Sequence, residues 1–243
     1  MINERLIAEK FSAIWKQSFP LLTPTFIKIF NETQVEQVNS KSVDYTEHIR
    51  FDLVAEAAFN LSEISITEKT TPDAYLGSLG SRNTLMESIR GNLWIETEYA
   101  QMSIPFSEGE LNNIQQLAEN ICEFIFKTKR KFIAFRPKLK GYGIVPDLEA
   151  DLVVDDTLYE IKTVTRNFKS IDLRQLLIYL ALNHVSKGNN WKYGGLYNPR
   201  KGSGSKFNVN HLVYNLSGGN PPNEAFENLL NGIVGDIQID TRF

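Results

Sequence analysis

Over roughly the first hundred residues apolar positions recur at helical spacing. Leu6, Ile7, Phe11, Ile14 and Trp15 share one helical face, residues 45–64 read as a second helix, and Thr84-x-x-Glu87 opens a third as a capping box. From Ser107 a different order begins. Leu111, Ile114, Leu117, Ala118, Ile121, Cys122 and Ile125 form one apolar stripe behind a Ser107-x-x-Glu110 capping box. A strand over 131–139 follows, then a hairpin over 148–163, a helix over 171–185 with Ser170 as N-cap, and a strand over 192–198. The order helix, three strands, helix, strand predicts an α/β fold at 107–200. It is preceded by a mainly helical accessory region at 1–106 and followed by a C-terminal extension at 201–243, where a strand over 207–216 and a helix over 223–234 are expected. Residues 70–81 and 202–205 read as loops, and no internal repeat is present.

The hairpin fixes a register by arithmetic. With Asp155 and Asp156 as its loop, opposed residues have numbers summing to 311, so Asp151 faces Glu160 and Glu149 faces Lys162. Alternation then puts Asp147, Glu149, Asp151, Glu160 and Lys162 on one side. Leu148, Ala150, Leu152, Val154, Tyr159 and Ile161 take the other, which is expected to be the core. Two carboxylates directly across a strand pair lie about 5 Å apart at Cβ and repel, so the pair calls for a cation.

Composition narrows the chemistry. The chain has 243 residues, 42% hydrophobic and 23% charged, enough for a sizeable core. The terminus MINERLIAEK is charged, and the longest apolar run, 176–182, is too short to span a bilayer, so no membrane association and a cytoplasmic location are expected. One cysteine, Cys122, excludes an internal disulfide and a cysteine-rich zinc site, and His48, His184 and His211 are isolated. A metal would then sit on oxygen ligands, which favours Mg²⁺ or Mn²⁺. A net charge of -3 argues against a protein that coats nucleic acid. Positive charge is nonetheless concentrated at 127–140, either as a solvated lysine-rich edge strand or with Lys129, Arg130, Lys131 and Lys138 as phosphate contacts. Arg200 and Lys201 lie in a flexible basic loop after the last core strand that is either an ordinary surface turn or a further phosphate contact.

Phosphodiester hydrolysis asks for a metal, carboxylates to hold it, and a lysine to orient water or offset developing charge. Asp151, Glu160 and Lys162, set in ADLVVDDTLYEIKT, resemble the signature of the PD-(D/E)XK nuclease superfamily, with Pro146-Asp147 as a candidate for the literal "PD". Asp151 is preferred as ligand because Asp147 lies about 13 Å further along at ~3.3 Å per residue. Gln175 and Tyr179, four apart on the next helix, are similar to the Gln-x-x-x-Tyr motif of the RecB-type and lambda-exonuclease-like branches. The resemblance covers about 107–198 and implies a restriction-endonuclease-like core, a mixed β-sheet flanked by helices. It further implies a catalytic set of Asp151, Glu160, Lys162, Gln175 and Tyr179, with metal on Asp151 and Glu160. A glutamate from the first core helix, common in the family, has no clean match here. The expected partner is nucleic acid, DNA before RNA, in restriction, repair or anti-phage defence by family analogy. Two rival readings remain: a binding module that keeps the fold without catalysis, and a subunit whose N-terminal region docks on a protein partner. Assembly into a homo-oligomer stays open.

Overall fold

The computed structural model describes residues 3–44, 48–90 and 104–240. Its centre is a six-stranded mixed sheet in the order β1-β8-β7-β6-β5-β2, made of β1 (Glu36–Gln37), β2 (Ile133–Phe135), β5 (Leu152–Val154), β6 (Thr157–Ile161), β7 (Tyr193–Asn198) and β8 (Ser203–Asn208). Only β6 and β7 run parallel, because the helix α8 (Ser170–Val185) carries the chain from one to the other. A second, two-stranded sheet pairs β3 (Lys138–Leu139) with β4 (Leu148–Glu149).

Helices cover both faces. On one, α7 (Glu108–Thr128) lays Ile121, Phe124 and Ile125 against Leu152, Val154, Tyr159 and Tyr197. The Phe124 ring stacks on Tyr197 at 4.0 Å and meets Tyr159 edge-on at 5.0 Å. On the other face α8 presses Leu173, Leu176 and Leu177 onto Val153, Leu158 and Leu196. Sheet alternation therefore buries both sides of the hairpin. The expectation of a single core face is corrected: the face that carries Asp151 and Glu160 is itself covered by α8, with Glu160 buried and Asp151 half-buried at its margin.

The predicted accessory region is woven into this core. The helix expected from Leu6 to Trp15 is broken at Phe11, whose φ is 54°, into α1 (Glu4–Glu9) and α2 (Ser12–Ser18). Ile7, Ile14 and Trp15 share the cluster of α8 and of α10 (Pro222–Asp240). After α3 (Pro24–Thr33), β1 joins the open edge of β8. The predicted second helix is α4 (Phe51–Glu68), packed through Leu53, Val54, Ala57 and Leu61 on Ile114, Leu117 and Ala118 of α7; residues 45–47 of that expectation lie outside the described residues. The Ser107/Glu110 capping box is present as predicted. Although burial works the other way, the Arg50 guanidinium and the backbone N–H groups of Ser107 and Arg50 hold the Glu110 carboxyl at about 2.

Several boundaries move. Thr84 lies inside α6 (Leu79–Arg90), donating to the Gly80 carbonyl at 3.1 Å, so it caps nothing. The supposed loop at 70–81 holds α5 (Pro72–Leu76) and the start of α6. The cap of α8 is Lys169, one residue before Ser170, its N–H donating to Asp172 at 2.8 Å. Residues 203–208 are strand, whereas 209–216, expected to be strand, form α9 (Val209–Leu216) under an Asn208 cap. No helix among the described residues is long and apolar enough to cross a membrane.

β7 approaches β6 closely because Gly195 lies opposite Tyr159. A Cβ there would run into the Tyr159 ring and stand 2.6 Å from the Ser205 carbonyl. Gly195→Ala is therefore expected to cost about 1–3 kcal/mol or more by overpacking. Gly204→Ala, whose Cβ would meet Leu196 O at 3.1 Å, should cost less. Chemical denaturation of both variants checks the order; equal midpoints would show that the sheet yields at Gly195.

Candidate active site

Leu152 opposes Tyr159, Val153 opposes Leu158 and Val154 opposes Thr157, the register the loop arithmetic demands. Asp155 supports the turn twice. It adopts φ 54°, which aspartate tolerates, and its carboxylate accepts the backbone N–H groups of Arg130, Lys131 and Phe132, each at 2.8 Å. The strand does not continue straight past Leu152. At Arg136 the partner strand turns into the left-handed region with φ 47°, Pro137 follows, and pairing passes to β3 and β4. Glu149 therefore faces Lys138, 4.0 Å away, and not Lys162. Asp147 accepts from Gly141 N at 2.8 Å in the adjoining loop, which takes it off the shared face. Both are corrections to the extended hairpin.

Asp151, at the bend, keeps its place. Its Oδ2 accepts the Ile161 N–H at 2.7 Å, and its carbonyl accepts the Arg136 N–H at 2.9 Å. Glu160 lies on the same sheet face and is buried, 1% exposed. Lys162 folds back along the face, its Nζ 2.6 Å from Glu160 Oε1 and donating to Gln175 Oε1 at 2.6 Å. Gln175 in turn donates to the Tyr179 hydroxyl at 3.3 Å. The structure thus brings together all five residues of the expected catalytic set, three from the hairpin and two from α8.

The charges are unbalanced by one acid. Burial, then the nearby Asp151, push the Glu160 carboxyl up to about 8, against the pull of Lys162. Burial also raises Asp151. Lys162 is pulled down by its own burial, yet Glu160 and Asp151 hold it above its ordinary value. Two acids beside one lysine leave a negative charge that a proton or a cation would offset. One observation bears on the second choice: Glu160 Oε2 is buried and accepts no hydrogen bond among the described residues. An orphan carboxylate oxygen beside a second carboxylate suits a hard divalent ion. Among the described residues no group of three or more His, Cys, Asp or Glu gathers around one point. A metal here would rest on Asp151 and Glu160 and complete its shell with water, backbone or substrate oxygens.

The site opens into a cleft of about 710 Å³ between α1, α4, the end of β6 and the start of α8. Asp151 and Lys162 line it, while Glu160 lies behind them. Six acids border the cleft (Glu4, Glu9, Asp52, Glu56, Asp151 and Asp172) against five bases (Arg5, Arg136, Lys162, Arg166 and Lys169), so its walls carry a net charge near −1. Four of these acids and Arg5 come from the N-terminal region, and sequence reasoning missed all of them. A cavity of about 610 Å³ at the far end of α8, beside Asn183 and Trp191, has no acid in its lining and none of the five site residues.

The predicted phosphate contacts do not converge on the cleft. Lys129, Arg130 and Lys131 stand at the turn end of the hairpin, where Ile133 pairs with Val154, some three residues or about 10 Å from Asp151. Lys138 is exposed beyond the other end. Arg200 is corrected outright: it is 2% exposed, donates to Asp44 O at 3.1 Å and Asn113 Oδ1 at 2.9 Å, and sits over the Phe51 ring at 5.5 Å. The expected flexible basic loop is the tight turn of the β7–β8 hairpin. Lys201 donates to Asn167 Oδ1 and shares with Arg166 a pocket of about 210 Å³. Arg166 also lines the main cleft. Comparison with protein-family models, with curated proteins and with solved structures gives no match to this chain.

Proposed function

We propose that the protein is a metal-dependent phosphodiesterase of the PD-(D/E)XK type acting on nucleic acid, DNA before RNA. The observation that carries this reading is the convergence of Asp151, Lys162 and Gln175 at the floor of one cleft, with Glu160 and Tyr179 buried behind them and one Glu160 oxygen without a hydrogen bond among the described residues. Asp151 and Glu160 would hold the ion. A bound Mg²⁺ or Mn²⁺ supplies Lewis acidity and lowers the pKa of coordinated water.

The protein's own groups do the rest. Gln175 Oε1 anchors the Lys162 ammonium, so that this charge stays at the cleft floor when Glu160 is otherwise engaged, where it offsets negative charge building on a phosphoryl group. Tyr179 keeps its proton, since burial and the two acids raise it well above its usual value, and it holds the Gln175 amide in the orientation that presents oxygen to Lys162. Burial and Asp151 push the Glu160 carboxyl up to about 8, so holding a cation there would require it to be ionised, and occupation of the site would be linked to pH.

Purified protein is expected to cleave at least one of plasmid, linear duplex or single-stranded DNA with Mg²⁺ or Mn²⁺, and to lose all activity in chelator. Turnover that survives chelator would sink the mechanism. Tight binding with no cleavage in any metal would favour the silent binding module.

A further inference from the structure

We infer that Arg136 is a phosphate-binding residue of this cleft, held in reserve by acids of α4 until a nucleic-acid strand enters. The inference rests on the nuclease reading and adds to it a named contact with the substrate backbone.

Arg136 is the cation most closely joined to the candidate metal pair after Lys162. Its N–H donates to the Asp151 carbonyl at 2.9 Å, and its side chain lines the same cleft. Its backbone takes φ 47° at the point where the sheet breaks, a conformation that costs a long side chain free energy and that glycine would adopt without strain. Backbone strain at a cleft residue is a reason to ask what the side chain does. The guanidinium lies over the Phe59 ring at 4.8 Å, which fixes its plane. Its edge is turned to α4, where Nη2 donates to Glu56 at 2.8 Å and to Asn60, and Nε stands 3.7 Å from Glu63.

Asp52, Glu56, Asn60 and Glu63 form a polar stripe on a helix otherwise buried through Leu53, Val54, Ala57 and Leu61. Two carboxylates on that stripe thus answer one guanidinium. A phosphodiester presents paired oxygens much as a carboxylate does, so it can take over the same guanidinium edge without a change of donor geometry. In a cleft whose walls balance slightly negative, a cation bound to two acids adds little attraction; exchanging those acids for a phosphate makes its charge count. The competing account, a staple between α4 and the sheet at the point where the strand breaks, explains the same ion pairs, and the two accounts part on what the arginine does to substrate affinity.

Two variants separate the accounts, because they move substrate affinity in opposite directions. Binding of fluorescein-labelled duplex and single-stranded oligonucleotides is read by anisotropy with Ca²⁺ across a salt series, alongside thermal melts. Arg136→Gln is expected to weaken binding about tenfold and to reduce the salt slope by about one, as for one lost phosphate contact. Glu56→Gln with Glu63→Gln leaves the arginine less restrained and is expected to tighten binding several-fold. Arg136→Lys, which keeps charge without the fork, falls between parent and Arg136→Gln. An Arg136→Gln variant that stays folded with parental affinity and slope overturns the inference and leaves the nuclease reading standing. Weaker binding in the double glutamine variant also overturns it. A parent that binds neither oligonucleotide and cleaves none removes both.

Discussion

Lys162→Ala is expected to lower kcat by about 10²–10³ while KM changes little, the size of loss seen when one preorganised charge-stabilising donor is removed. The expectation follows from where the ammonium sits. Lys162 Nζ is fixed from two sides, by Glu160 and by Gln175, at the floor of the cleft and 19% exposed, so its charge acts in a poorly hydrated place without reorganising. A strand passing along the cleft would be held mainly by other groups, which is why ground-state binding should survive. The loss has a second signature. With the lysine gone, Glu160 keeps burial and Asp151 as its causes of a raised value and loses the group that opposes them, so its proton should persist to higher pH. The pH at which Mn²⁺ begins to bind should then move up. Steady-state kinetics against oligonucleotide, with Mn²⁺ titrations at several pH values, read both effects. If KM rises and kcat holds, Lys162 is a phosphate anchor and nothing more.

Much of this site could be read from the chain because it is local. Asp151, Glu160 and Lys162 lie within one hairpin, whose register depends only on the turn at Asp155 and Asp156, and Gln175 and Tyr179 follow on the next helix, four apart. What escaped the sequence depends on contacts between distant segments. Pairing alternation was projected past Leu152 to Asp147, but the strand breaks where Arg136 turns left-handed and Pro137 offers no N–H, and nothing in 146–163 announces a break imposed by its neighbour. Arg200 looked exposed because it follows a strand in a basic, glycine-rich run. Its burial rests on Asp44, Phe51 and Asn113, from 87 to 156 positions away. The acids of the cleft were unreadable for the same reason, with one exception. The stripe of Asp52, Glu56, Asn60 and Glu63 on an apolar helix was a visible sign that one face of α4 meets something charged.

Asp151→Asn is expected to abolish cleavage while leaving the fold intact, and its stability should differ from the parent's in a way that depends on pH. The Glu160 carboxyl has a folded value of about 8 against an ordinary 4.5. Between those pH values the folded chain holds a proton that the unfolded chain has released, so this group's contribution is present in full below about 4.5 and is lost as pH rises toward 8. Burial remains in the variant, but the Asp151 charge, the next cause of the shift, is gone; the decline with pH should therefore be shallower. Asparagine can still accept the Ile161 N–H through its side-chain oxygen, so the bend at 151 keeps its tie. Without metal near pH 8 the variant should match or exceed the parent by a few tenths of a kcal/mol to ~1 kcal/mol, the scale of repulsion between neighbouring like charges on adjacent strands, reduced by the attraction that Asp151 has for Lys162 and Arg136. For a chain of this length that is up to about 2–4 °C in Tm. Added Mn²⁺ reverses the order. At a hundredfold excess over Kd the parent gains about 2.7 kcal/mol, because the ion binds only the folded state, and the variant, with one carboxylate of the pair missing, gains little. Melts of both proteins from pH 5 to 8.5, with and without Mn²⁺, test the pair of claims. An equal Mn²⁺ shift in both, or an active variant, would show that Asp151 is not a ligand. Glu56 and Glu4, which border the same cleft and are felt electrostatically by Asp151 and Glu160 respectively, would then be the carboxylates to replace next, ahead of Asp147, whose oxygen is already taken by Gly141.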